Sequence, residues 1–501
     1  MTLSHSTEKP FAKDLSYLLS TEARSRNESP LKSAFKYYSQ PDLVFLGGGL
    51  PLATYFPFNK VVAETALPPF QNGIGYVPTT KAETNVVKIE KRLDPNSDVK
   101  DIPLARSLQY GFTEGQPELV AFLKEHTQLV TNIPYQDWTL MANTGSTQAW
   151  DNVLRNFCNK GDSVLVEEFT FSSALEAANA QSLHTIPVKM DGFGIIPEEL
   201  AKLLDSWNPD TPKPKLIYII PTGQNPTGSS LSYERRKEIY KIIQKHDLIL
   251  IEDEPYYFLQ MDVYTRDLQK REQQRNMTVS HEEFINSLIP TFLSLDVDGR
   301  VIRFDSASKT LAPGSRLGWF IGQKRLLERF IRIQEVSAQA PCGFTSSIIN
   351  GTLQRWGQKG FLDWLIGIRK VYSHNRNVTI DALNDYMPLE VVDFIPPIAG
   401  MFFTFNIDAT KHPKFASEFN SEPLKVENAI YERALKQGCL MIPGSWFVSK
   451  GNTSPPQRYI LDNDVQNPKI FFRGTYAAVP MDELVKGIKR FAEAIKLEFE
   501  L

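Results

Sequence analysis

Four groups of polar residues in this chain follow directly on apolar runs, and their types are those that handle ligands. After KLIYII comes PTGQNPTG, which fixes Asn225 in a turn stiffened by Pro and Gly, where an amide can be held toward a bound molecule. After LILIE come Asp253, Glu254, Pro255, Tyr256 and Tyr257, and after RVIRFD comes SASKTLAPGSRLG, with Ser306, Ser308, Lys309 and Arg316. Upstream, MANTGSTQAW sets Gly145, Ser146 and Thr147 ahead of the amphipathic stretch AWDNVLRNF, in the position of a helix N-terminus. The free N–H groups and dipole of such an end suit a phosphate.

Taken singly, each group has an ordinary explanation. A Ser-x-Ser-Lys stretch is more often a loop with a solvated lysine than a site. The trio Glu252, Asp253 and Glu254 also suits a divalent cation, although no His pair, Cys pair or GxxxxGK[ST] accompanies it. GGGLP lacks the GxGxxG spacing, and GxSxG is absent, so a nucleophile-elbow hydrolase has no motif. The combined order is far more specific: a phosphate-type helix start, Asn in a Pro turn, Asp-x-Pro-Tyr after a strand, then Ser-x-Ser-Lys with an arginine following. Pyridoxal phosphate asks for these parts, namely a lysine amine, a carboxylate facing the ring nitrogen, an anion cup and a flat side chain against the ring. No metal is expected.

The elements that must position these residues read as α/β. Runs at 163–168, 215–221, 248–255 and 300–305 have the Val/Ile/Leu-rich character of buried parallel strands, and ligands bind beyond the carboxyl ends of such strands. Between them, SYERRKEIYKIIQKHD sets Ile239, Ile242 and Ile243 on one helical face. The polar segment 262–292 reads as a surface insertion, and 83–101, with acids and bases mixed, as a solvated loop. From Trp356 the pattern changes, which predicts a separate C-terminal lobe. The expected division is an N-terminal arm and substrate-side segment over 1–60, a large cofactor-binding domain over 61–355 and a small domain over 356–501.

Bulk composition removes other classes. With 501 residues, 42% hydrophobic, 23% charged and a net charge of -3, the chain has no polyanion-binding character, so no nucleic-acid partner is expected. No apolar span approaches the ~20 residues of a membrane helix, and no signal peptide opens the chain. Cys158, Cys342 and Cys439 lie far apart and read as buried thiols in a reducing, cytoplasmic setting.

The chain resembles the fold-type I pyridoxal-phosphate aminotransferases, and within them the fungal aromatic and 2-aminoadipate (kynurenine) aminotransferases. The resemblance rests on FLGGGLP, LQYGFTEGQPEL, PTGQNPTG, EDEPYYFLQ, DSASKTLAPGSRLGW, PPIAGMFF and PGSWF. It implies a mostly parallel seven-stranded sheet between helices with a smaller α+β domain, and transfer of an amino group from aromatic or 2-aminoadipate-type amino acids to a 2-oxo acid. Lys309 would carry pyridoxal 5'-phosphate as a Schiff base, Asp253 would pair with the ring nitrogen, and Asn225 and Tyr256 would bond the phenolic oxygen, beside Pro255. Gly145, Ser146, Thr147, Ser306, Ser308 and Arg316 would form the phosphate cup. Tyr110 would reach the phosphate of a neighbouring subunit, which implies a homodimer. Phe171 stands where relatives often carry a stacking Tyr. Arg473, in FFRGTY, would grip the substrate carboxylate with Asn225. Gly48 and Gly49 would line the side-chain pocket, as would Lys32, in SPLK, where some relatives place an arginine. Two other readings remain: a β-lyase, racemase or decarboxylase on the same scaffold, and a non-catalytic aminotransferase-like regulatory protein, for which the DNA-binding helices are missing.

Overall fold

The computed structural model describes residues 9–30, 37, 40–44, 46–80, 83–94, 96–449 and 469–501. In chain order its strands are β1 (Lys60–Ala66), β2 (Thr84–Glu90), β3 (Trp138–Asn143), β4 (Ser163–Glu167), β5 (His184–Val188), β6 (Met190–Asp191), β7 (Gly194–Ile195), β8 (Leu216–Ile219), β9 (Ile249–Asp253), β10 (Val301–Ser306), β11 (Gly318–Gln323), β12 (Val392–Asp393), β13 (Phe402–Asp408), β14 (Ile442–Pro443) and β15 (Lys469–Thr475). The main sheet has the order β3-β11-β10-β9-β8-β4-β5. From β10 through β5 neighbouring strands run parallel, while β11 is antiparallel to both β10 and β3. The four apolar runs are therefore its parallel heart. Every residue of β8, β9 and β10 is buried, because helices cover both faces.

Two apolar layers flank this sheet. Leu250, Ile217, Ile239, Ile243 and Phe292 belong to one, and Ile249, Ile251, Tyr218, Phe304 and Trp150 to the other. The alternation of consecutive strand residues between layers is the period-two geometry of a strand. The helix Tyr233–His246 forms as its periodicity requires: Ser232 caps it by accepting from Arg235 N, Ile239 and Ile243 are fully buried, and Asp247 ends it in the left-handed region. A second sheet, β12-β13-β15-β14, packs Phe405, Ile407 and Phe472 against the helices Pro423–Lys436 and Met481–Phe499. The helical segment Gly343–Tyr386, broken by a kink at Gly357, joins the two cores, with Leu362 and Leu365 in the first and Ile380 and Leu383 in the second.

Three expectations change. Segment 83–101 is not simply a solvated loop: Thr84–Glu90 pairs with Lys60–Ala66, and Val87 and Ile89 are buried while Lys88 and Glu90 face solvent as an ion pair. The inward residues alternate with charges, so mean polarity hid a one-faced strand. Among the cysteines, Cys342 is exposed at the start of the long helix, and Cys158 and Cys439 are half-buried. Within 262–292 the helix Leu268–Asn276 buries nothing, yet Phe284 is fully buried and the amides of Phe292 and Leu293 donate to the Glu252 carboxylate at 2.7 and 3.1 Å.

Candidate active site

The polar residues converge where the strand geometry places them, at the carboxyl ends of β8, β9 and β10. Asp253 closes β9. Its side chain is buried, and Oδ2 accepts a hydrogen bond from the Tyr218 hydroxyl at 2.6 Å. Oδ1 is buried with no partner among the described residues. Burial pushes this carboxyl up to about 6, against the opposing pull of the Tyr218 bond. An unsatisfied acceptor in such a place is expensive unless a ligand donor completes it.

Lys309 lies in the loop after β10, half-buried, with its amine lowered from the usual range by burial first and by the nearby Arg316 charge second. Arg316 adopts the left-handed region at φ 47 and extends its guanidinium over Gly145. A Cβ at position 145 would stand 2.6 Å from Arg316 Nη2, and Gly145 itself has φ 103. Only glycine fits there. Gly145 opens the helix Ser146–Phe157 without a side-chain cap, so its first amides stay available beside a guanidinium. The Gly145 amide donates to Asn143 Oδ1 at 2.8 Å, while Asn143 Nδ2 and Ser146 Oγ are buried and unpartnered among the described residues. Thr147 is exposed on the same turn. Ser306 ends β10, its hydroxyl accepting from the Ser308 amide at 3.1 Å. These orphaned donors and acceptors, around a cradle closed by one glycine, fit an anionic heteroaromatic ring.

A second half of the site comes from the smaller sheet. Arg473 on β15 donates to Asn225 Oδ1 at 2.7 Å, and its guanidinium lies 4.4 Å from the Phe402 ring centroid and 4.6 Å from that of Phe447. Burial lowers Arg473 from its usual value. Phe402 also meets Tyr256 edge-on at 5.8 Å, which links this pair back to Asp253 through the turn carrying half-buried Pro255. The loop holding Asn225 is pinned from beneath. Arg236 is fully buried, and donates to Thr222 Oγ1 at 2.7 Å, Pro221 O at 3.2 Å and Glu254 Oε1 at 3.3 Å. Glu252 and Glu254 thus face arginines on the opposite side of β9 from Asp253. Among the described residues no group of three His, Cys, Asp or Glu side chains is placed to hold a metal.

Phe171 precedes the helix Ser172–Ala180 and packs against the same apolar layer as Tyr256 and Phe402. The other expected positions are less enclosed. Tyr110 is 58% exposed. Gly48 is half-buried, and Gly49 is exposed with nothing within 4 Å of a would-be Cβ. Lys32 lies outside the described residues. Tyr218, Asn143, Phe402 and Phe447 were not singled out from sequence. Tyr218 was visible as the one polar-tipped residue in an otherwise aliphatic strand, whereas Phe402 and Phe447, although inside PPIAGMFF and PGSWF, carry no chemistry of their own that sets them apart from core residues.

Comparison with known proteins decides the family. The family model "Aminotransferase class I and II" matches residues 104–490. The chain belongs to that family. It is 41% identical to an aromatic amino acid aminotransferase of Schizosaccharomyces pombe, over 97% of this chain and 99% of the relative. It is 30% identical to the mitochondrial kynurenine/alpha-aminoadipate aminotransferase of Rattus norvegicus, over 96% and 99%. Among solved structures, aminotransferase Aro8 from Candida albicans superposes with a TM-score of 0.92 at 55% identity, covering 98% of this chain and 100% of that one. Class I and II aminotransferases of this fold are pyridoxal-phosphate enzymes acting on amino and oxo acids, and typically dimers. Among the described residues no helix is long and apolar enough to cross a membrane.

Proposed function

We propose that this chain is an aminotransferase that moves the amino group of aromatic amino acids, and of 2-aminoadipate- or kynurenine-type amino acids, to 2-oxoglutarate or another 2-oxo acid. The observation that carries the reading is the buried, half-unpartnered Asp253 carboxylate set among a desolvated lysine, an anion cradle and a paired arginine. The substrate class follows the relatives' names.

Pyridoxal phosphate would be held covalently by Lys309, through its ring nitrogen by Asp253, through its phenolic oxygen by Asn225 and Tyr256, and through its phosphate by Gly145, Ser146, Thr147, Ser306, Ser308 and Arg316. Phe171 supplies an apolar face. When bound, that group supplies an electron sink for the pair left on the substrate Cα. Arg473, flanked by two rings that hold it flat and shed water, takes the substrate carboxylate with forked donors, and Asn225 completes the grip. With the cofactor bound, the Lys309 amine would be the base that takes the proton from the substrate Cα and the acid that gives it back to the cofactor's former aldehyde carbon. Its lowered basicity raises the neutral fraction that can do so. A fixed carboxylate favours proton transfer at Cα over loss of carbon dioxide.

The same reading makes the active unit a cytoplasmic homodimer in which Tyr110 crosses to the neighbouring site, with Gly48, Gly49 and Lys32 on the side-chain side. It divides the chain near residues 60 and 355. The test is spectroscopic. Addition of L-phenylalanine to the cofactor-loaded protein is expected to convert the aldehyde form of the cofactor to the amine form, and 2-oxoglutarate to reverse it. A stable aldehyde-form spectrum with carbon dioxide release, racemised donor or an eliminated side chain would assign another reaction to the scaffold.

A further inference from the structure

Strand β8 reads Leu216, Ile217, Tyr218, Ile219, and every one of these residues is buried. A tyrosine in such a place loses the hydration of its hydroxyl and must find a partner. Tyr218, 1% exposed, donates to Asp253 Oδ2 at 2.6 Å. Burial and the adjacent carboxylate hold the phenol far above its ordinary value, so it stays a donor at every working pH. Its ring is braced by Trp150, with centroids 4.5 Å apart, and the Trp150 indole N–H donates to Ala174 O at 3.0 Å, one turn into the helix that Phe171 begins. The hydroxyl therefore has a fixed origin on a central strand, not on a loop.

We propose that Tyr218 is a positioning residue for the cofactor: by occupying Asp253 Oδ2 it fixes the carboxylate rotamer, so that Oδ1 alone is presented to the ring nitrogen. This rests on the reading of Asp253 given above. The unpartnered Oδ1 is what such a device leaves behind. Tyr218 also supplies a donor that favours the charged carboxylate, opposing burial. The other titratable groups facing Asp253 are Asp305 on β10, Glu167 on β4 and Tyr256 on the following turn, none of them cationic. Tyr218 is thus the group that offsets burial most strongly, with the nearby Ser146 hydroxyl acting second and in the same direction.

The experiment compares wild type, Tyr218→Phe, Asp253→Asn and the double variant as apoproteins reloaded with pyridoxal phosphate, with thermal unfolding as the control for folding. Tyr218→Phe keeps the ring and its contact with Trp150. It is expected to weaken cofactor affinity roughly tenfold, the scale of one hydrogen bond to a charged group, and to move the Asp253 carboxyl titration, followed by carbon-13 labelling of the apoprotein, to higher pH. In the Asp253→Asn background the same change is expected to cost nothing further, because the coupling runs through that carboxylate. Equal losses in both backgrounds, or wild-type affinity and titration in Tyr218→Phe, would overturn the inference. If wild type loads the cofactor and Tyr218→Phe matches it, this inference alone fails; if wild type takes up no cofactor, the functional reading fails with it.

Discussion

Arg473 Nη1 donates to Asn225 Oδ1 at 2.7 Å, tying a strand of the small sheet to the loop that follows β8 of the large one. Neither residue is rigid alone: Asn225 is held by its turn, whose Thr222 takes a hydrogen bond from Arg236 below, and Arg473 by the rings of Phe402 and Phe447. Replacing Arg473 with Lys keeps the charge but removes the fork. The expected result is a fall in kcat/KM for amino acid donors of about two orders of magnitude, from ~2–3 kcal/mol of lost charge-assisted bonding. Cofactor absorbance should be unchanged, and steady-state kinetics alongside a spectrum of the resting enzyme checks both.

The relation between the two halves is set by a close backbone approach. A Cβ on Gly223 would lie 2.4 Å from Gly400 Cα, and one on Gly400 would lie 2.7 Å from Gly223 O. Gly400→Ala must therefore push the PTGQNPTG loop away from PPIAGMFF and stretch the Asn225–Arg473 pair. The expected effect is a rise in KM for the donor larger than the change in cofactor affinity. Equal, small effects on both would show that the contact yields without moving the pair.

His126 is buried between Phe258 and Phe361, bonded through Nδ1 to Gln358, with Nε2 unpartnered among the described residues. Burial holds it down at about 4. A histidine with a depressed folded value binds more protons unfolded, so stability rises with pH across the window from about 4 to 6.5 and is lost as pH falls through it. His126→Gln is expected to remove that part of the acid destabilisation, on the order of 3 kcal/mol at full protonation. Urea unfolding at pH 5 and pH 7.5 for both proteins measures it.

Arg236 sits between Glu254 at 3.3 Å and Glu252 at 3.7 Å, all buried. Arg236→Met takes from Glu254 its hydrogen-bonded arginine, leaves Glu252 with Arg303 alone at 3.8 Å, and frees Thr222 and Pro221. Breaking a buried pair from one side costs about 3–5 kcal/mol, so the unfolding midpoint should drop sharply. A midpoint within error of wild type would mean that the carboxyls are held neutral and the arginine is dispensable.

The sequence made the parallel centre of the sheet readable because β4, β8, β9 and β10 are short aliphatic runs whose burial on both faces leaves little else to encode. It concealed β2, where Val87 and Ile89 alternate with charges, and it left β5 unread, since Pro187 interrupts the run; an edge strand tolerates that residue because, among the described residues, one side of it has no partner strand. In the site, Asp253, Asn225, Lys309 and Arg316 were legible because each stands in a stretch that sterics or charge makes unusual. The aromatic brackets around Arg473 were not, because a phenylalanine that flanks a guanidinium and one that fills a core look alike until strands β13 and β15 are paired. Tyr110 and Gly49 are exposed and Gly48 is half-buried, so sequence likeness rather than local packing speaks for them.

The most direct test of the central claim is chemical trapping at Lys309. The protein is loaded with pyridoxal phosphate, reduced with borohydride, digested and analysed by mass spectrometry. A phosphopyridoxyl group on the peptide SASKTLAPGSR, at Lys309 alone and absent from Lys309→Ala, is the predicted result. Label on other lysines with Lys309 unmodified, or undiminished transamination by Lys309→Ala, would contradict the account.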